Sequence, residues 1–266
     1  MTPDAPTAAA PTRDELIEHL VRTRVAGEVA TPRDNNLDHY RSLAVGDPHY
    51  LFGLTFEGAW TYKDVLALMA KSAGVIADPD HRYGQDTIDP ERTVAATEAM
   101  GDRIAAALGR PGSRFVLATG HPTGILVIHL ALARFLVARG GTVITPAEGW
   151  TYQPGSFGRR RQIRYVEDVA LLDDGGALVH THDSAPMRAI LAADRPDFVI
   201  ADHGWAGAAG EAGIETVGFA DSNDPGLFVG EAEGKIAVTV PLDDNVLPRY
   251  YGPLTRYLLA WITAGL

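Results

Sequence analysis

The sequence predicts an α/β protein: a mainly parallel, Rossmann-like sheet with helices on both faces, preceded by a helix- and loop-rich N-terminal part. The first observation is a series of short apolar runs after Arg114. These are FVLAT (115–119), TVIT (142–145), QIRYVE (162–167), ALVHT (177–181), FVIA (198–201), ETVGFA (215–220) and KIAVTV (235–240). Several are continuously apolar, as strands buried on both faces are. The second is the room between several of them for a helix, which is the pattern of a parallel sheet. The third is the contrast with the first third of the chain, which reads as helices and polar turns.

Taken in order, residues 1–12 are rich in Pro, Ala and Thr and are expected to form a disordered tail. They lack the basic and apolar regions of a signal peptide. Residues 13–266 are expected to form a single domain, with 13–112 mostly helical and 113–266 the sheet core. In 13–29, Leu16, Leu20, Val21 and Val25 recur at helical spacing, with acids early and arginines late. The stretch 31–50, TPRDNNLDHYRSLAVGDPHY, is polar and turn-rich. Tyr62 to Ala73 and Pro90 to Leu108 read as helices, the second with Asp89 as N-cap and Pro90 at its first position. Further helices fit from GHPTG to Arg139 and over 184–194, and 249–262 reads as a closing helix.

Composition narrows the function. The chain has 266 residues, 46% hydrophobic and 21% charged, with a net charge of −11. That charge argues against a general nucleic-acid or anionic-membrane binder, which needs a basic face. It leaves room for a small phosphorylated substrate held by a metal or a helix N-terminus. There is no cysteine, so disulfides, thiolate catalysis, Fe–S clusters and cysteine–zinc sites are excluded. The most apolar stretch, 125–138, is too short to span a bilayer and carries His129 and Arg134. A cytoplasmic location is expected. Tyr250, Tyr251, Tyr257 and Trp261 near the end suit either core or the surface of a homodimer.

Open parallel sheets bind ligands at the carboxyl ends of their strands. Here those ends carry Gly120-His121-Pro122-Thr123-Gly124, Glu148, His180-Thr181-His182-Asp183, Asp202-His203, Asp221-Ser222-Asn223-Asp224 and Asp243-Asp244-Asn245. Together they form an acidic rim bearing histidines. GHPTG is the anion-site candidate. With Pro122 at the first helical position, the N–H groups of Thr123, Gly124 and Ile125 point outward with the positive end of the helix dipole. Gly120, Thr123, Gly124 and Glu148 are therefore assigned to phosphate or substrate binding, with Arg33 and Asn35 reaching in from the N-terminal part. Asp202, Asp221, Asn223 and Asp224 supply oxygen ligands for Mg²⁺ or Mn²⁺. Asp202, His203 and His121 are the catalytic candidates, both histidines being flanked by glycine or close to it. His180 and His182 lie on one strand face and suit a metal pair, but a capping and packing role explains them as well. His129, inside an apolar helix, reads as a packed core residue.

GHPTG after a strand, ADHGWAGAAGEAG, GFADSNDP and the late VPLDDN together resemble a family of actinobacterial phosphatases. The likeness runs from TPRDNNLDHYR to YYGPLTRYLL, and the run ADHGWAG followed by ADSNDP is long and unusual. The resemblance implies a phosphatase, and at least one family member acts on histidinol phosphate. It does not fix the catalytic residues. Better-known phosphatase signatures are missing. LLDDGGAL lacks the second aspartate of a haloacid-dehalogenase nucleophile motif, the His-x-His at 180–182 comes too late for a PHP-type enzyme, and there is no Arg-His-Gly motif. The expectation is a metal-assisted phosphomonoester hydrolase. The reading from another class is a non-catalytic module that binds a nucleotide or sugar phosphate.

Overall fold

In the computed structural model, which describes residues 9–155 and 158–266, the N-terminal part comprises α1 (Arg13–Thr23), β1 (Gly27–Pro32), α2 (Arg33–Ala44), α3 (Pro48–Leu51), α4 (Tyr62–Ser72), β2 (Gln85–Ile88) and α5 (Pro90–Leu108). The core continues with β3 (Arg114–Ala118), α6 (Leu126–Ala138), β4 (Thr142–Val143), β5 (Thr151–Tyr152), β6 (Arg161–Val166), β7 (Val169–Asp173) and β8 (Leu178–Val179). It closes with α7 (Ala185–Ala193), β9 (Phe198–Asp202), α8 (His203–Glu211), β10 (Glu215–Ala220), α9 (Pro225–Ala232), β11 (Val238–Pro241), a 3₁₀ turn (Pro248–Tyr251) and α10 (Gly252–Gly265). The first eight residues of the expected tail lie outside the described residues.

Local chemistry sets several of these boundaries. Thr12 and Glu15 form a capping box at the start of α1. The Asp89 carboxylate accepts from the Glu91 N–H at 2.9 Å and starts α5 where the sequence places it. No helix among the described residues is long and apolar enough to cross a membrane.

The main sheet runs β11-β10-β9-β3-β7-β6-β5, with β4 beside β3 and β8 beside β7. From β11 to β7 all neighbours are parallel, as expected. Beyond β7 the expectation is corrected. β6 pairs antiparallel with β7 and β5, and β8 pairs antiparallel with β7. The sheet is therefore mixed. The reason is a two-residue hairpin turn at Glu167-Asp168, both with positive φ (45° and 66°). Such turns usually carry Asn or Gly, and Glu-Asp gives no such sequence signal. A second, two-stranded antiparallel sheet, β1-β2, also forms in the N-terminal part.

Alternate strand residues face opposite layers. Phe115, Leu117, Phe198 and Ile200 pack with α1, α5, α6 and α10, and Val116, Ala118, Val199 and Ala201 with α2, α4, α7, α8 and α9. Helices thus cover both faces. The chain leaves β3 toward β4 and β7 on one side, and leaves β9 toward β10 and β11 on the other. Adjacent strands whose connections diverge open a crevice at their carboxyl ends. That point lies above Ala118 and Asp202.

Candidate active site

The end of β9 is the centre of the site. Asp202 is fully buried, and both its oxygens are engaged. Oδ1 accepts from the Gly120 N–H at 2.6 Å and lies 2.8 Å from His203 Nδ1; Oδ2 accepts from the Thr119 hydroxyl at 2.5 Å. The carboxylate thereby locks the end of β3 to the end of β9 and fixes the His203 ring. His203 sits at φ 45°, a strained conformation for a non-glycine residue, at the first position of α8. Its ring faces the crevice, where Nε2 lies 3.2 Å from Asp224 Oδ2 and 3.6 Å from Asp244 Oδ2.

Other loops complete a cleft of about 580 Å³, lined among others by Thr31, Asn35, His121, Thr123, His180, His182, His203, Asp221, Asn223, Asp224, Asp243, Asp244 and Asn245. The loop after β8 delivers His180 and His182, and the His182 ring stacks on His203 with centroids 4.5 Å apart. His121 Nδ1 lies 3.2 Å from Asp244 Oδ1, and its Nε2 lies 3.3 Å from Asn245 Oδ1. Asp221 accepts from the Thr31 hydroxyl at 2.6 Å and from Ser222, and Asp243 accepts from the backbone N–H groups of Ala30 and Asn245. A second chamber of about 750 Å³ adjoins the first, shares His180, His182 and Asn223 with it, and adds His39, His49, Arg161 and Asp183.

Burial works against charge here, and the balance differs residue by residue. It opposes the His203 imidazolium, but Asp224 and Asp202 outweigh it and hold the pKa well above the usual value. Burial would raise Asp224, yet His203 dominates and pulls it down to about 2. Asp221 goes the other way: burial, then Asp244 and Asp243, push it well up. His182 is lowered to about 3 by burial and by His203. The burial that opposes the His121 imidazolium is outweighed by Asp244, which raises its pKa.

The His203–Asp224 pair gives the metal-free fold a defined pH dependence. The depressed Asp224 contributes stability that is full above its ordinary 3.8 and is lost as pH falls toward about 2. The raised His203 contributes stability that is full below its ordinary 6.5 and is lost as pH rises through its folded value. Thermal melts of metal-free Asp224→Asn are expected to lose the part of the acid limb between those two carboxylate values. An unchanged acid limb contradicts the pairing.

Several candidates read from the sequence occupy other roles. Asp202, expected as a metal ligand, is buried behind His203 with both oxygens engaged and does not line the cleft. Gly120 does not offer its N–H to a phosphate, because Asp202 takes it; a Cβ there would meet the Thr181 carbonyl at 2.3 Å. Gly124 is likewise a packing glycine, since a Cβ would lie 2.2 Å from the Asp244 carbonyl. The helix after β3 starts at Leu126, so residues 122–125 form a turn and Pro122 is not a first helical position. Thr123 still reaches the cleft. Arg33 is fully buried and paired with Asp86 at 2.6 Å, away from the cleft. Glu148 is exposed on the loop after β4 and lines neither chamber. Asn35 and Asn223 line the cleft and bond each other at 3.2 Å.

His121, His203, Asp221 and Asp224 do converge, as strand-end counting expects. The structure adds His180, His182, Asp243 and Asp244, whose signal was the same position after a strand. His39 had no such signal. It arrives on α2, a helix hidden in a polar stretch, and its Nδ1 lies 2.7 Å from the Asn223 carbonyl. His129 is a buried core residue, as expected, 3.9 Å behind Asp202.

Comparison with known proteins identifies the family. The family model described as Phosphatase matches residues 11–265. Phosphatase SCO2771 of Streptomyces coelicolor is 50% identical over 262 residues, covering 96% of this chain and 97% of its own. The chain belongs to this phosphatase family.

Proposed function

We propose that the protein is a metal-assisted phosphomonoester hydrolase acting on a small phosphorylated metabolite in the cleft above β3 and β9. One observation carries the reading. The cleft gathers Asp221, Asp224, Asp243 and Asp244 with His121, His180, His182 and His203, and among the described residues no lysine or arginine lines it. His203 and His121 offset part of that negative charge, and a divalent cation between the carboxylates and a phosphate dianion offsets the rest. The donor chemistry fits such an ion. His182 Nδ1 and Asp244 Oδ2 are buried side-chain atoms without hydrogen-bond partners. When bound, Mg²⁺ or Mn²⁺ supplies polarisation of the phosphoryl group and activation of water.

The chain's own residues do the rest. Asp202 fixes the tautomer and orientation of His203, presenting Nε2 to the cleft. Thr31, Thr123, Asn35 and Asn245 offer uncharged polar groups around the phosphate position. His121, backed by Asp244, is the proton donor to the leaving oxygen. The adjoining chamber receives the organic part of the substrate. Its carboxylate, Asp183, and the acidic rim suit a cationic amino-alcohol phosphate, and L-histidinol phosphate is the substrate to test first.

His121→Gln tests the proton-donor role through the leaving group. An alkyl phosphate needs its alkoxide protonated, and its turnover is expected to fall about 10²- to 10³-fold. An aryl phosphate with an acidic phenol leaves without help, and its rate is expected to fall only a few-fold. Equal losses on both substrates contradict the assignment.

A further inference from the structure

Among the described residues the donors of the cleft form three groups, two of which have no residue in common with each other. His182, His203 and Asp224 bring donor atoms within 4.8 Å of one another, and so do Asp221, Asp243 and Asp244. The first set is rich in nitrogen, and the second is all oxygen. They meet at Asp244, whose Oδ2 lies 3.6 Å from His203 Nε2.

Turn chemistry explains part of the acidic set. Asp221 and Asp243 accept hydrogen bonds from Thr31, Ser222, Ala30 and Asn245. It does not explain Asp244, which is 5% exposed, with Oδ2 lacking any hydrogen-bond partner. Nor does it explain three carboxylates packed together with no lysine or arginine among the described residues of the cleft wall. His182 Nδ1 is a second buried donor without a partner, on the nitrogen-rich side.

We propose that the cleft holds two divalent cations side by side, one bound by His182, His203 and Asp224, the other by Asp221, Asp243 and Asp244. The inference rests on the reading of this cleft as the phosphatase site. Imidazole favours a transition metal such as Mn²⁺ or Zn²⁺, and a carboxylate set favours Mg²⁺ or Mn²⁺. Mn²⁺ satisfies both. Paired cations clamp a phosphoryl group from both sides, which suits a site without arginine. His121 and His180 share His203 in a further grouping and so extend the nitrogen-rich pole.

The test is metal stoichiometry on the full chain. Protein stripped with EDTA is reloaded with Mn²⁺, desalted and analysed for bound metal, with the electron paramagnetic resonance spectrum recorded. The wild type is expected to hold two Mn²⁺ per chain, with the broadened spectrum of an exchange-coupled pair. Asp221→Asn keeps the shape of that side chain and an acceptor oxygen for Ser222, loses the bond that Oδ2 accepts from the Thr31 hydroxyl, and removes the charge. It is expected to hold one Mn²⁺ with an isolated-ion spectrum.

One ion or none in the wild type overturns the proposal, and that measurement stands even if the variant fails to fold. Two ions in Asp221→Asn, or loss of both from the folded variant, overturns the donor assignment. Metal-dependent turnover with a single ion per chain overturns this inference alone. Turnover that survives complete metal removal overturns the metal-assisted reading itself.

Discussion

His203→Asn is expected to lower kcat/KM by about 10³-fold while leaving the chain folded, because the cation proposed for the cleft loses a donor. The size follows from how much converges on one ring. Nδ1 is held by Asp202 at 2.8 Å, and Nε2 faces both Asp224 and Asp244. No other described side chain touches both the strand-end carboxylate and the acidic wall of the cleft in this way. Asparagine is the appropriate replacement because it tolerates the left-handed backbone at φ 45° better than most residues. A loss of activity then reports the missing imidazole and not a collapsed turn. Asp202→Asn acts through the same ring and is expected to cost less, about 10- to 100-fold in metal affinity. In a non-catalytic binding module neither change moves ligand affinity appreciably. Steady-state kinetics beside a thermal melt decide the matter; turnover within a few-fold of wild type in folded His203→Asn contradicts the role.

Arg33→Ala is expected to be the most destabilising single change, by about 3–5 kcal/mol, with kcat per folded molecule unchanged. The guanidinium is fully buried. It donates to Asp86 Oδ2 at 2.6 Å and to the carbonyls of His81 and Asp78, each at 3.1 Å. Asp86 also accepts from Asn36 and from the N–H groups of Ile76 and Thr87. The pair ties the start of α2 to β2, and the two carbonyl bonds tie it to the loop before β2. Removing the arginine alone strands a buried carboxylate and two carbonyls. Arg33→Lys recovers little, because an ammonium cannot reproduce the fork of donors. The double change Arg33→Met, Asp86→Leu removes both charges and is expected to cost less than Arg33→Ala. Urea denaturation measures these differences. A stable Arg33→Ala with a raised KM contradicts the structural role and restores the residue to phosphate binding.

Much of the architecture was legible because its causes are local. Asp89-Pro90 starts α5 by capping and fixed φ, and FVIA and ETVGFA are too apolar to be anything but buried strands. The failures have equally physical causes. α2 carries Arg33, Asp34, Asn35, Asn36 and Asp38, a composition that favours turns, and is held helical by the packing of Leu37, Tyr40 and Leu43. α8 and α9 are short and rich in glycine and alanine, because their backbones pack closely against neighbouring segments. The site shows the same split. Position after a strand brought His121, His203, Asp221 and Asp224 together correctly. It could not distinguish a carboxylate that faces the cleft from one that stands behind a histidine, which is the case of Asp202. That difference is one residue of strand register and one strained φ at His203.

The most direct test of the account is phosphate release from a panel of small phosphomonoesters, L-histidinol phosphate included. It is run with EDTA-stripped protein and again after adding Mg²⁺ or Mn²⁺. The account predicts negligible release without metal, restoration by a divalent cation, and a marked preference for one member of the panel. Undiminished release from protein shown to be metal-free contradicts it.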